Sequence, residues 1–179
     1  MSNSGFPTSA RVAIIGGGII GCSVAYHLAD MGCKEVVLLE QSQLTAGTTW
    51  HAAGLMTTYG STSETSIDMR KYSRELYAQL EEETGQATGF KACGFIEVAS
   101  DADRLEEQRR VAAFNRWHGI DVVEISPGEI LELFPLANVD DVLAGFYTAT
   151  DGRINPVDVT MALAKGARQR GVRIIQNTP

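Results

Sequence analysis

Apolar positions along the chain form two kinds of run. Val12–Ile15 and residues 35–39 are short and almost unbroken, as in strands buried on both faces. Between them a helix starts near Ile19, carries Ala25 and Leu28 on one face and closes at Gly32. Met69, Tyr72, Leu76 and Leu80 then recur at helical spacing within residues 63–84, which predicts an amphipathic helix with those four inward and Glu81, Glu82 and Glu83 on its solvated side. Loose alternation over residues 90–99 predicts a strand with a bulge at Cys93 and Gly94. Residues 101–118 read as a charged helix with Leu105, Val111, Phe114 and Trp117 inward, and residues 121–125 as a strand. Ser126, Pro127 and Glu129 make a capping box for a short helix that Pro135 stops. A strand over residues 142–148 precedes Asn155-Pro156, the start of a helix through about Arg170. Ala162, Gly166 and Ala167 keep that helix thin enough to press against a sheet, and residues 172–175 form a strand that rejoins the first two.

The densest chemistry lies in the first strand, helix and strand. Gly16, Gly18 and Gly21 give GxGxxG directly after the strand and at the mouth of the helix. In a dinucleotide fold the first glycine permits the turn, the second admits a pyrophosphate and the third brings helix and strand together. Glu40 ends the second strand 19 residues after Gly21, where a carboxylate accepts hydrogen bonds from a ribose. A plain glycine turn would leave Glu40 without a task. The stretch does not distinguish FAD from NAD.

Composition narrows the class. The chain has 179 residues, 44% of them hydrophobic, enough for a core, and a net charge of −7 that argues against nucleic acid or an anionic membrane as partner. Cys22, Cys33 and Cys93 lack metal-ligand spacing and fit a reducing compartment, so no metal is expected. Residues 1–10 contain neither a basic nor an apolar leader, and no run reaches the length of a membrane span. The expected location is therefore cytoplasmic, with the mitochondrial matrix as the alternative if the start is processed or incomplete.

Residues 41–56, QSQLTAGTTWHAAGLM, carry no acidic or basic side chain apart from His51. Thr48 and Thr49 offer hydroxyls and Gly54 a slim turn, which suits a loop wrapped around a cofactor. With Glu40 before it, LTAGTTWHAAG resembles the FAD-dependent sarcosine and dimethylglycine dehydrogenases, members of the D-amino-acid-oxidase-like flavoproteins. EETGQATGF, SPGEILELFPL, LAGFY and DGRINPVDVTMALAKGAR extend the resemblance over about residues 10–178.

The resemblance implies an α/β fold, a Rossmann-like FAD-binding domain interrupted by part of an α+β substrate or lid domain. Residues 1–62 and 155–179 would belong to the FAD-binding domain and residues 63–154 to the insertion. It implies FAD held by Gly16, Gly18, Gly21, Glu40, Thr48, Thr49, His51 and Gly54, with His51 bonded covalently to the flavin 8α-methyl group. The substrate would be a small N-methylated amino acid, dimethylglycine or sarcosine, with tetrahydrofolate possible as one-carbon acceptor in a longer protein and the electron acceptor not specified. The chain would be an N-terminal portion, with its catalytic residues beyond Pro179. Rival readings are a noncovalent FAD amino-acid oxidase of the same fold, a non-catalytic regulatory relative, and an NAD-dependent dehydrogenase that would leave the threonine-rich loop without a purpose.

Overall fold

The computed structural model describes residues 7–179. Its elements run β1 (Val12–Ile15), α1 (Ile19–Asp30), β2 (Val36–Leu39), a single 3-10 turn (Thr49–His51), β3 (Leu55–Met56), α2 (Glu64–Thr84), β4 (Phe95–Ala99), α3 (Ala102–Trp117), β5 (Val123–Ile125), α4 (Pro127–Leu133), β6 (Ala144–Thr148), β7 (Gly152–Arg153), α5 (Pro156–Gln169) and β8 (Arg173–Ile175). They make two units. One comprises the chain up to Gly54 with Tyr77–Gly89 and Ile154–Pro179; the other comprises Leu55–Leu76 and Phe90–Arg153.

The first unit is built on a parallel sheet of order β1-β2-β8, in which Val12 lies beside Val36 and Leu38 beside Ile174. Val36, Val37 and Leu38 are buried, as their unbroken apolar run requires, whereas β1 lies at the edge and its Ile15 is 88% exposed. Asn155 caps α5 by accepting from the amides of Val157 and Asp158, and Pro156 takes the first helical position. The thin face of α5 meets α1 as well as the sheet expected for it. A Cβ on Gly166 would lie 2.8 Å from the Tyr26 ring, so only glycine allows this approach.

Tyr26 donates its hydroxyl to both oxygens of Glu83, at 2.9 and 2.7 Å, and the Arg170 guanidinium bonds the same carboxylate while lying 4.9 Å above the Tyr26 ring. Glu83 is therefore not simply part of a solvated face. Burial disfavours its charged form, but the hydrogen bonds from Tyr26 and Arg170 outweigh this and hold its carboxyl below the usual range. A folded-state pKa below the unfolded one adds stability above the unfolded value, and that stability is lost as pH falls through the folded value.

The second unit holds the antiparallel sheet β4-β6-β5 and the two-stranded pair β3-β7. Its core is formed by Tyr59, Ile67, Ala99, Ala112, Ile120, Val122 and Phe146, with Phe95, Leu105, Val111 and Phe114 packed against it. Three residues expected inward lie outward instead: Trp117 is 79%, Met69 66% and Tyr72 50% exposed. On α2 the second unit buries Ile67, which lies on the side of the helix away from Met69 and Tyr72, whereas Leu80 belongs to the first unit and is buried there, about 140° around the helix from Ile67. Ser126 and Glu129 form the full capping box of α4. The strand expected over residues 90–99 with a bulge at Cys93 and Gly94 instead begins at Phe95 and pairs with β6 without interruption, while Gly94, at φ +81°, lies before it against the Tyr147 ring.

Burial pushes the Cys22 thiol up to about 11, since no nearby cation compensates fully for lost hydration. At pH 8 iodoacetamide is expected to label exposed Cys93 and leave Cys22 untouched in the folded protein, a difference that peptide mass mapping reads directly. Labelling of Cys22 at the rate of Cys93 would show that α1 does not pack as described.

Candidate functional site

The site begins where β1 ends. Gly16 turns the chain at φ +103°, a conformation that L side chains rarely adopt, and its amide donates to the Leu39 carbonyl at 2.8 Å, tying the turn to β2. Gly21 sits one helical turn on, where an added Cβ would lie 2.0 Å from the Gly16 carbonyl oxygen. That contact is what requires a glycine, because the obstructing atom is backbone. Gly18 is the extended N-cap of α1 and supplies no side-chain cap; the amide of Ile19 donates instead to Thr49 Oγ1 at 3.1 Å.

Glu40 follows β2 and is 9% exposed. One carboxylate oxygen accepts the Gly17 amide at 2.6 Å and the other the Ser42 amide at 2.8 Å. A carboxylate has about four acceptor positions, so two remain for incoming hydroxyl groups. Gly16, Gly17 and Gly18 line a cleft of about 470 Å³ with Glu40, Gln41, Ser42, Ala46, Gly47, Thr48 and Thr49. A neighbouring hollow of about 480 Å³ lies between Ile15, Leu39, Glu40 and Gln41 on one side and Thr178 and Pro179 on the other. A third, of about 330 Å³, lies over Gly18, Ile19, Ile20 and Val24, with Thr48 and Thr49 at its wall. Gly16 is common to all three.

Of the residues singled out in the sequence, Gly16, Gly18, Gly21, Glu40, Thr48 and Thr49 come together at this place. His51 and Gly54 do not line the hollows. His51 ends the 3-10 turn that starts at Thr49, exposed to solvent, with its ring centroid 3.7 Å from that of Trp50 and the two planes tilted by 34°. Gly54 serves a close backbone crossing: its carbonyl accepts the Ile154 amide at 2.8 Å, and a Cβ on it would lie 2.3 Å from the Ile154 oxygen. Gly17 was missed. Its amide holds Glu40, and a Cβ there would lie 2.5 Å from Leu44 Cδ2 and 3.0 Å from Glu40 Cβ, so the middle glycine of GGG leaves room for the side chains that fold over it. Thr45, at φ +72°, donates its amide to the Gly17 carbonyl and fastens the loop to the turn.

A family model described as DAO, FAD dependent oxidoreductase, matches residues 11–179. The chain belongs to this family. The curated relatives of this FAD-dependent oxidoreductase domain include the mitochondrial dimethylglycine dehydrogenase of Rattus norvegicus, 47% identical over 95% of this chain and 20% of that protein. The mitochondrial pyruvate dehydrogenase phosphatase regulatory subunit of Mus musculus is 44% identical over 96% of this chain and 20% of that protein. The crystal structure of L-proline dehydrogenase from P. horikoshii matches with a TM-score of 0.88 and 26% identity over 96% of this chain and 45% of that one. The domain thus spans about a fifth of the length of these curated relatives.

Two expectations are decided by these matches. The choice between FAD and NAD, open in residues 11–40, falls to FAD. The cytoplasmic location is overturned, because relatives alike over nearly the whole chain are named as mitochondrial. That expectation rested on residues 1–10, of which the first six lie outside the described residues. The geometry of the oxidoreductase domain also fits FAD: a carboxylate with acceptor positions to spare stands beside a helix N-terminus whose N-cap, Gly18, adds no side chain, only the Ile19 amide being taken, by Thr49. No helix among the described residues is long and apolar enough to cross a membrane.

Proposed function

We propose that this chain is the nucleotide-binding part of an FAD-dependent dehydrogenase that oxidises the N-methyl group of a small N-methylated amino acid, and that His51 carries the flavin covalently. The observation that carries this reading is the position of His51. Its imidazole is solvent-exposed at the end of the turn begun by Thr49, a residue of the cofactor cleft, and no hydrogen bond among the described residues holds it. A neutral imidazole nitrogen is a competent nucleophile near neutral pH.

Each residue then has a separate task. Glu40 accepts the adenosine ribose hydroxyls on the positions its two backbone amides leave open. Gly18 and the start of α1 receive the diphosphate, while Gly16 and Gly21 hold turn and helix close enough for that contact. Thr48 and Thr49 close the opposite wall. His51 would hold the flavin ring through a ring nitrogen bonded at the 8α position. Bound FAD supplies the two-electron acceptor for amine oxidation. The substrate loses a hydride equivalent from its N-methyl carbon, and water converts the resulting iminium to the demethylated amine and formaldehyde, or the one-carbon unit passes to tetrahydrofolate. A mitochondrial site of action accompanies this reading, as for the named relatives.

The test is anaerobic mixing of dimethylglycine or sarcosine with the protein expressed from the whole gene. The flavin absorbance is expected to bleach, faster as pH rises from about 6 to 9, because hydride loss needs the neutral amine. Failure of either substrate to bleach a fully loaded protein would remove this substrate class. A second reading is favoured by the regulatory subunit at 44% identity: a non-catalytic relative that keeps the fold. It predicts protein that binds FAD weakly or not at all and regulates a partner.

A further inference from the structure

Every lysine and arginine of the second unit but two has a side-chain partner. Arg74, Arg104, Arg109 and Arg110 pair with glutamates, and Arg70, Lys71 and Arg116 donate to backbone carbonyls. The side chains of Lys91 and Arg153 are exposed and make no hydrogen bond or ion pair among the described residues. These two also stand face to face. They lie opposite each other in an antiparallel bridge and exchange both backbone bonds, at 2.9 and 3.0 Å. In such a pair the Cα atoms are about 5.5 Å apart and both side chains leave on the same side of the ribbon. Leu55, 65% exposed, lies opposite Arg153 on its other flank, so one row reads Leu55, Arg153, Lys91.

Like charges placed directly opposite on a ribbon repel and destabilise it. With 22 acidic residues against 15 basic ones the chain has carboxylates to spare, yet none is set beside this pair. The backbone fixes the two cations in place. The Lys91 carbonyl accepts the amides of both Arg153 and Cys93, the Gly94 amide donates to the Asp151 carbonyl at 2.8 Å, and a Cβ on Gly152 would lie 1.9 Å from the Lys91 oxygen. A local rule broken on a fixed scaffold marks a place where a ligand supplies what the chain withholds. We propose that Lys91 and Arg153 form a binding site for the carboxylate of a small organic acid, whose apolar part rests on Leu55. The planar guanidinium meets both oxygens of a carboxylate, and the ammonium adds a point charge beside it. Inorganic phosphate would neutralise the cations but leave Leu55 bare, which favours an acid with an apolar end. The site does not depend on the substrate proposed above.

The probe is isovalerate, the carbon analogue of dimethylglycine, which has the carboxylate and the apolar end but no amine to oxidise. Calorimetric titration of protein expressed from the whole gene is expected to show saturable binding of isovalerate and none of the uncharged isovaleramide. Lys91→Gln and Arg153→Gln should each weaken that binding about tenfold. Without ligand, at low salt, both variants should melt no lower than wild type, because each change removes a repulsion and no native bond. Isovalerate bound by both variants as tightly as by wild type, or not bound by wild type, would overturn the site, and weaker binding that goes with a lower melting temperature would show a structural role in its place. Anaerobic bleaching by dimethylglycine identifies the acid. A parallel rise in the concentration needed by both variants would make the bound carboxylate that of the oxidised amino acid, and unchanged bleaching beside lost isovalerate binding would make it that of another acid. Absence of bleaching in wild type would remove the substrate reading and leave the calorimetric result to decide the site.

Discussion

Gly21→Ala is expected to weaken FAD binding about a hundredfold and to lower the melting temperature of the first unit. The added Cβ would lie 2.0 Å from the Gly16 carbonyl oxygen and 3.5 Å from Ile14 Cγ2. No rotamer relieves a clash between a Cβ and a backbone atom, so α1 must move away from the turn. The turn cannot follow, because the Gly16 and Gly17 amides are bonded to Leu39 and Glu40. Overpacking of this kind costs about 3 kcal/mol at the upper end, and the same energy as lost affinity is about a hundredfold. A flavin fluorescence titration of wild type and variant reads it. Equal affinities would mean that the helix N-terminus is not what binds the diphosphate.

Asp151→Ala is expected to unfold the second unit at ordinary temperature. Asp151 is fully buried and accepts from the Thr58 amide at 2.8 Å, the Thr58 hydroxyl at 2.7 Å and the Tyr59 amide at 3.3 Å. Thr58 and Tyr59 are 0% and 1% exposed, so water does not replace the lost acceptor. Each buried donor left unpaired costs about 1–3 kcal/mol, and three of them together are comparable with the whole stability of a small domain. Asp151→Asn keeps one acceptor oxygen and should lose markedly less. Urea unfolding of the three proteins measures this order, and a loss in Asp151→Ala within about 0.5 kcal/mol of wild type, the range of ordinary surface changes, would contradict it.

Asp151 also shows what pattern reading leaves out. In the sequence it is part of a polar Asp-Gly turn, and nothing local indicates that it caps the backbone of residues 58 and 59, more than ninety positions away. Strand-helix-strand at residues 11–40 was legible because its signals are local: an apolar run sets β1, three glycines set the turn and Gly32 ends the helix region at φ +82°. Caps at Ser126 and Asn155 were legible for the same reason. The inward face of α2 was not, since Met69 and Tyr72 satisfy the helical period yet face solvent, and the helix buries Ile67 in one unit and Leu80, on a different side, in the other. Within the candidate site, the GxGxxG spacing pointed to Gly16, Gly18 and Gly21 but not to Gly17, whose constraint comes from Leu44 and Glu40 folding over it. Gly54 was singled out for the cofactor loop, and its tight contact is with Ile154.

The central claim is covalent FAD at His51. Wild-type protein and His51→Ala, both expressed from the whole gene, are denatured, run on a gel and viewed for flavin fluorescence. A fluorescent band in wild type that is absent from His51→Ala, with both proteins yellow before denaturation, is the predicted result. A band of equal strength in both would place the bond on another residue, and yellow wild-type protein without any band would contradict covalent attachment.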